Sequence, residues 1–134
     1  MIPKPAREII REIVVEAYEA QVIQLDAGDA NRPIASRTRI LFNGVGDLGS
    51  EQFYYSIRDA HEYHEGGVTM GQCITDKKPY DFVVMKVLIT LYVHLETFGL
   101  YSSATDRKAD MNRWHQAMKE MRARYHIGFK LRDE

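Results

Sequence analysis

The sequence predicts a single mainly α-helical domain of four helices, with a short two-stranded β ribbon as an optional addition. Residues 82–100 form an apolar stretch of helical length. Met111, Trp114, Met118, Met121 and Tyr125 recur at spacings of 3, 4, 3 and 4, the stripe of a packed helix. The chain has 134 residues, 45% of them hydrophobic and 28% charged, which fits one globular domain with a real core.

The first helix is predicted over residues 5–25. Pro5 suits a first helical turn, where its missing N–H costs no bond. Ile9, Ile10, Ile13, Val14, Ala17, Val22 and Leu25 give it a broad apolar face. Asp26-Ala27-Gly28-Asp29 reads as a stop. Residues 26–49 are the least regular part of the domain. Within them, 37–42 reads as a short strand, because Thr38, Ile40 and Phe42 favour extended backbone. Asn43-Gly44 then reads as a turn.

A second helix is predicted over 50–65, with Ser50 as N-cap and Gly66-Gly67 as its end. Phe53, Tyr54, Ile57 and Ala60 would face inward. Residues 68–74 read as the second strand of the ribbon. The third helix, predicted over 79–98, is apolar on nearly every side and should be the central buried one. Its β-branched residues suggest strand, but its length decides for helix. The fourth, predicted over 106–127, carries the Met/Trp/Tyr stripe and stops at Gly128.

Charge excludes some functions. A net charge of −1 argues against wholesale binding to nucleic acid or a membrane surface. The balance is uneven: residues 1–103 carry a net −4 and residues 104–134 a net +3. Cys73 is the single cysteine, so neither an internal disulfide framework nor a cysteine-based zinc site is expected. No signal-peptide pattern opens the sequence. The 82–100 stretch is interrupted by Lys86, His94 and Glu96, so no membrane span is expected and the cytoplasm is the expected location.

Three constellations have chemical potential. Glu8, Glu12, Glu16 and Glu19 share one face of the first helix. Like charges at i,i+4 disfavour a helix slightly, so the ridge is tolerated for the helix's sake at best. It reads either as a solvated face or as part of a Mg²⁺ site, with Asp59 and Glu62 as the second carboxylate pair. His61 and His64 flank Glu62 at i,i+3 and read as helix-end residues or as a fragment of a metal site. On the fourth helix His115, Lys119, Arg122 and His126 form a basic ridge flanked by Arg113 and Arg124. It reads as a solvated rim over the core or as a docking surface for an acidic partner.

Gly44-Val45-Gly46-Asp47-Leu48-Gly49 matches the dinucleotide-binding glycine spacing. The βαβ context that such a loop needs is absent, and that function is not expected. No GxSxG motif occurs, and Cys73 has no evident activating neighbour.

Two resemblances follow from these residues. Glu16-x-x-Glu19 with Asp59-x-x-Glu62 resembles the paired acidic helices of the MazG-like all-α nucleotide pyrophosphatases, although the second pair is reversed relative to that family. The resemblance implies Mg²⁺ held by Glu12, Glu16, Glu19, Asp59 and Glu62, with the metal neutralising phosphate charge and activating water. Ile74-Thr75, Tyr80-Asp81 and the Val83–Leu88 run, followed by residues 103–110 leading into a final helix, resemble small helical phage and prophage proteins of unknown function. That resemblance implies a phage-encoded accessory protein acting in the host cytoplasm, with inhibition of a host system as one possible role. No catalytic residue is carried over from it.

With no complete catalytic constellation, the sequence points first to an interaction protein. It would bind through Arg113, His115, Lys119, Arg122, Arg124 and His126, to a protein partner or a second copy of itself rather than to nucleic acid. The Mg²⁺-dependent hydrolase stands as the alternative, followed by a small-molecule sponge or an oligomeric structural protein.

Overall fold

A computed structural model of the chain describes residues 1–57, 78–95 and 107–128, with side chains of the last group from residue 111 onward. It corrects the expected four-helix, all-α bundle. Among the described residues the fold is α+β: helices α1 (Lys4–Glu19), α2 (Asp81–His94) and α3 (Arg107–Tyr125) accompany a four-stranded antiparallel sheet. The strands are β1 (Ile23–Gln24), β2 (Ile34–Ala35), β3 (Arg39–Gly44) and β4 (Phe53–Ser56).

Helix α1 starts behind Pro3, with Pro5 in its first turn, and buries Ala6, Ile10, Ile13 and Val14. It ends six residues before the predicted limit of 25. Gln21 turns the chain with a left-handed φ of 62°, and Val22 N–H returns to Ala17 O at 2.9 Å. This reversal frees Ile23 to pair with Gly44 and Gln24 with Asn43.

Strand β3 is the centre of the sheet. β1, β2 and β4 each pair antiparallel with it, β2 and β4 on opposite sides of Ile40 and Leu41 and β1 at Asn43 and Gly44. Ile40 and Phe42 are fully buried, and the Phe42 ring stacks on Phe53 of β4 at 5.0 Å between centroids. The helix expected from residue 50 is therefore wrong over Phe53–Ser56, which pair with Arg39–Phe42 in register. Aromatic residues favour such a half-buried pleated surface. The remainder of that predicted helix, and the predicted strand at 68–74, lie outside the described residues.

Asn43-Gly44 is not a turn but the end of β3. The reversal comes later, through a short 3₁₀ turn (Gly46–Leu48), and the buried Asn43 side chain organises it. Asn43 Oδ1 accepts from Gly44 N–H at 2.7 Å and from Ser50 N–H at 3.1 Å. Its Nδ2 donates to Ser50 O and to Asp26 Oδ1, both at 2.9 Å. Ser50 is thus held in the loop and caps no predicted helix at this point. Gly44 is required by close approach, since a Cβ there would lie 2.2 Å from Leu48 O. Strand β4 follows the glycine-rich loop, so the loop closes a hairpin and opens no phosphate-binding helix.

Helix α1 meets β1 and β2 and also packs on α2, which in turn packs on α3. α2 is buried along most of its length, through Val83, Val84, Met85, Val87, Ile89, Thr90 and Leu91. Its N-terminus is tied to the sheet side: Tyr80 Oη donates to Glu51 O at 2.7 Å and Lys78 Nζ to Asp47 O at 3.3 Å. On α3 the stripe buries Trp114, Met118 and Met121, together with Ala117. Among the described residues no helix is long and apolar enough to cross a membrane.

Candidate functional site

The basic residues of α3 fall on two sides of its buried stripe. At ~100° per residue, Arg113, Glu120 and Arg124 project to one flank, whereas His115, Lys119, Arg122 and His126 project to the other. The first flank faces α1 and α2. The second is exposed at all four positions.

The inner flank is occupied by ion pairs. Arg113 pairs with Asp81, which opens α2 and is 7% exposed. The Arg113 guanidinium also lies 5.7 Å from the Phe82 ring centroid. Burial pushes the Arg113 pKa down, so its charge is held against a desolvation penalty. Lys86 Nζ of α2 lies 3.0 Å from Glu120 Oε2. Arg124 bridges Glu12 and Glu16 of α1, with Nη1 donating to Glu16 Oε2 at 2.6 Å. This hydrogen bond lowers the Glu16 pKa, and the neighbouring charges of Arg124 and Lys86 act in the same direction. The pKa of Arg124 is correspondingly raised.

The acidic and basic ridges therefore meet through Arg124. A cation seated on Glu12 and Glu16 would have to displace that guanidinium. Glu19 is exposed near the end of α1, while Asp59 and Glu62 lie outside the described residues, as do His61, His64 and Cys73. Among the described residues no group of three or more His, Cys, Asp or Glu is placed to hold a metal ion. His94 is half-buried, and its Nδ1 donates to Thr90 O at 2.7 Å.

On the outer flank His115 and Lys119 project from the middle of α3. Arg122 folds over the turn after the helix, where a Cβ at Gly128 would meet Arg122 Nε at 2.8 Å and Met118 Sδ at 2.9 Å. His126 closes the helix in a left-handed conformation, φ 57°, two residues before the predicted stop at Gly128. Of the six basic residues expected to contact a partner, Arg113 and Arg124 thus pair across the fold toward α1 and α2, and His115, Lys119, Arg122 and His126 are exposed on the opposite flank.

Sequence reasoning missed a cleft of about 320 Å³ between α1, α2 and α3. Ile13, Val83 and Met121 contribute to its floor, and Glu16, Lys86, Glu120 and Arg124 stand on its rim. Tyr125 lines one end, its hydroxyl pushed up to about 12 chiefly by burial. The i,i+4 spacing of Glu120 and Arg124 marks one wall in the sequence, but nothing there places Lys86 and Glu16 opposite. Comparison with protein-family models, with curated proteins and with solved structures finds no match to this chain.

Proposed function

We propose that this chain is a non-catalytic interaction protein that captures an acidic protein surface on the outer flank of α3. One observation carries the reading: α3 directs Arg113 and Arg124 into ion pairs with Asp81, Glu12 and Glu16, whereas His115, Lys119 and His126 are exposed along its opposite flank, beside an Arg122 that is exposed as well. The helix itself separates Arg113 and Arg124, which pair across the fold, from the basic residues on its exposed flank.

The line is short. Residues 115 to 126 rise ~16 Å along a helix axis, about three turns. That length matches an acidic helix or extended acidic segment. It offers few phosphate contacts to a nucleic acid, and the chain's net charge of −1 adds no long-range attraction to one. A positive strip of this kind steers encounter and fixes register more than it sets affinity.

The test uses a fluorescently labelled helical peptide with glutamates at i, i+4, i+7 and i+11, titrated with the full chain at low salt. Anisotropy should rise on binding, weaken with added salt, and fall by about tenfold in affinity for the His115→Glu/Lys119→Glu variant. Equal binding by that variant, with its fold intact by circular dichroism, contradicts the reading.

A further inference from the structure

Asn43-Gly44 is the one Asn-Gly pair in the sequence, and Asn31 and Asn112 are each followed by arginine. An asparagine carboxamide is open to attack by the backbone nitrogen of the next residue. The attack is fastest before glycine, which places no Cβ beside that nitrogen. The exposed asparagines, Asn31 and Asn112, are thus slowed by their neighbour, whereas the pair with the reactive sequence is buried.

The fold blocks the reaction at each atom it needs. Gly44 N–H donates to Asn43 Oδ1 at 2.7 Å, which holds the proton that the nitrogen must lose. Asn43 Nδ2, the leaving group, is tied to Asp26 Oδ1 and Ser50 O at 2.9 Å each. Closing a ring between Gly44 N and Asn43 Cγ also turns the Asn43 backbone out of the strand conformation, ψ about +135°. That rotation would break the pairing of Gln24 with Asn43 and of Ile23 with Gly44. It would also shift Gly44, packed so tightly that a Cβ there would lie 2.2 Å from Leu48 O. With the side chain 1% exposed, little water reaches the carboxamide.

We propose that Asn43-Gly44 is a latent deamidation site, masked by the fold and uncovered on unfolding, that converts time spent unfolded into irreversible loss of the fold. In the unfolded chain the Gly44 nitrogen loses its proton to water or hydroxide and bonds to Asn43 Cγ. The Cγ–Nδ2 bond breaks, and Nδ2 takes up a proton from water and departs as ammonia. Water then opens the succinimide at either carbonyl, leaving an α-linked or a β-linked aspartyl residue. In sum an amide and a water become a carboxylic acid and ammonia, with no change of oxidation state. Neither product fits the site. Its carboxylate has no N–H to give to Ser50 O and faces Asp26 with a like charge in a buried position. The β-linked form also lengthens the backbone of β3 beside Gly44, where there is no room for an added Cβ. Refolding is fast against this chemistry, so brief openings are harmless and sustained unfolding is not.

The test incubates the full chain at mildly alkaline pH with and without urea and follows each asparagine by peptide mass spectrometry. In urea Asn43 should convert to near completion while Asn31 and Asn112 stay largely intact. Without urea Asn43 should convert at least about a hundredfold more slowly, since only opened molecules react. After urea is removed, the fraction that refolds by circular dichroism should fall in step with the conversion. Gly44→Ala, compared with wild type in urea, where its fold does not matter, should convert about tenfold more slowly because a Cβ now crowds the attacking nitrogen. Equal rates at Asn43 with and without urea, recovery of the wild-type urea midpoint by the converted chain, or an unchanged rate for Gly44→Ala in urea overturns the proposal.

Discussion

Arg124 of the last helix donates through Nη1 to Glu16 of the first at 2.6 Å, and its other amino group reaches both Glu16 and Glu12. The contact joins two segments separated by 108 positions in sequence. It also converts half of an acidic ridge from a cation-attracting surface into an internal counter-charge.

The contact gives stability a defined pH dependence. The Arg124 hydrogen bond lowers the folded Glu16 pKa below its ordinary value of 4.5, so the unfolded chain takes up this proton first as pH falls. Stability from the pair is present above pH 4.5 and is lost as pH drops through the lower folded value. Thermal melts of wild type and Glu16→Gln should therefore differ most near neutral pH and converge in acid. A difference that grows on acidification contradicts the pairing.

Asn43 should be among the least replaceable residues in the sheet. Its carboxamide is 1% exposed and makes four hydrogen bonds that hold Gly44, Ser50 and Asp26 together. Asn43→Ala leaves buried backbone groups without partners and should cost about 2–4 kcal/mol in urea unfolding. Asn43→Asp keeps the acceptor, loses both donated bonds and faces Asp26 with a like charge, so rescue should be at most partial.

Glycine substitutions in the first half of the chain should separate cleanly. A Cβ at Gly44 would overlap backbone atoms of Leu48 and Gly49, whereas at Gly28 it would meet nothing within 4 Å. Gly44→Ala should destabilise by about 2 kcal/mol or more, and Gly28→Ala should be near neutral, in the same unfolding measurement.

Arg113 should prove structural. It faces the buried carboxylate of Asp81, so Arg113→Met removes the cation and leaves the acid in place. The expected loss is about 2–3 kcal/mol, reduced from that of a fully buried pair by the partial exposure of Arg113. A melting temperature within a degree of wild type contradicts this assignment.

The helical parts of the fold were the most legible in the sequence. The recurrence of Met111, Trp114, Met118 and Met121 located α3 and its buried face, and the apolar run from Phe82 located α2. The sheet was hidden for identifiable reasons. Phe53, Tyr54 and Ile57 satisfy a helical spacing, but Phe53-Tyr54-Tyr55-Ser56 is also an aromatic run behind polar residues, which is a strand signal. Pairing with β3 decided between them, and pairing is non-local. The end of α1 was hidden because Gln21, not a glycine, takes the left-handed position. Asn43-Gly44 looked like a hairpin turn because that dipeptide often is one. Here the Asn43 side chain directs a longer loop instead.

The site was legible only as charge. The spacing along α3 identified the six basic residues but grouped Arg113 and Arg124 with a docking surface. Their partners, Asp81, Glu12 and Glu16, belong to other helices, and sequence separation carries no information about that contact.

The division of labour along α3 is tested most directly by measuring two quantities on two variants. Lys119→Glu and Arg124→Glu each reverse one cation, on opposite flanks of the same helix. Lys119→Glu should leave the melting temperature unchanged and weaken capture of the acidic helical peptide. Arg124→Glu should lower the melting temperature, because it places a third carboxylate against Glu12 and Glu16, and should weaken capture less than Lys119→Glu does where the fold persists. Stronger loss of capture in Arg124→Glu than in Lys119→Glu, measured below the melting temperature of both, would contradict the assignment.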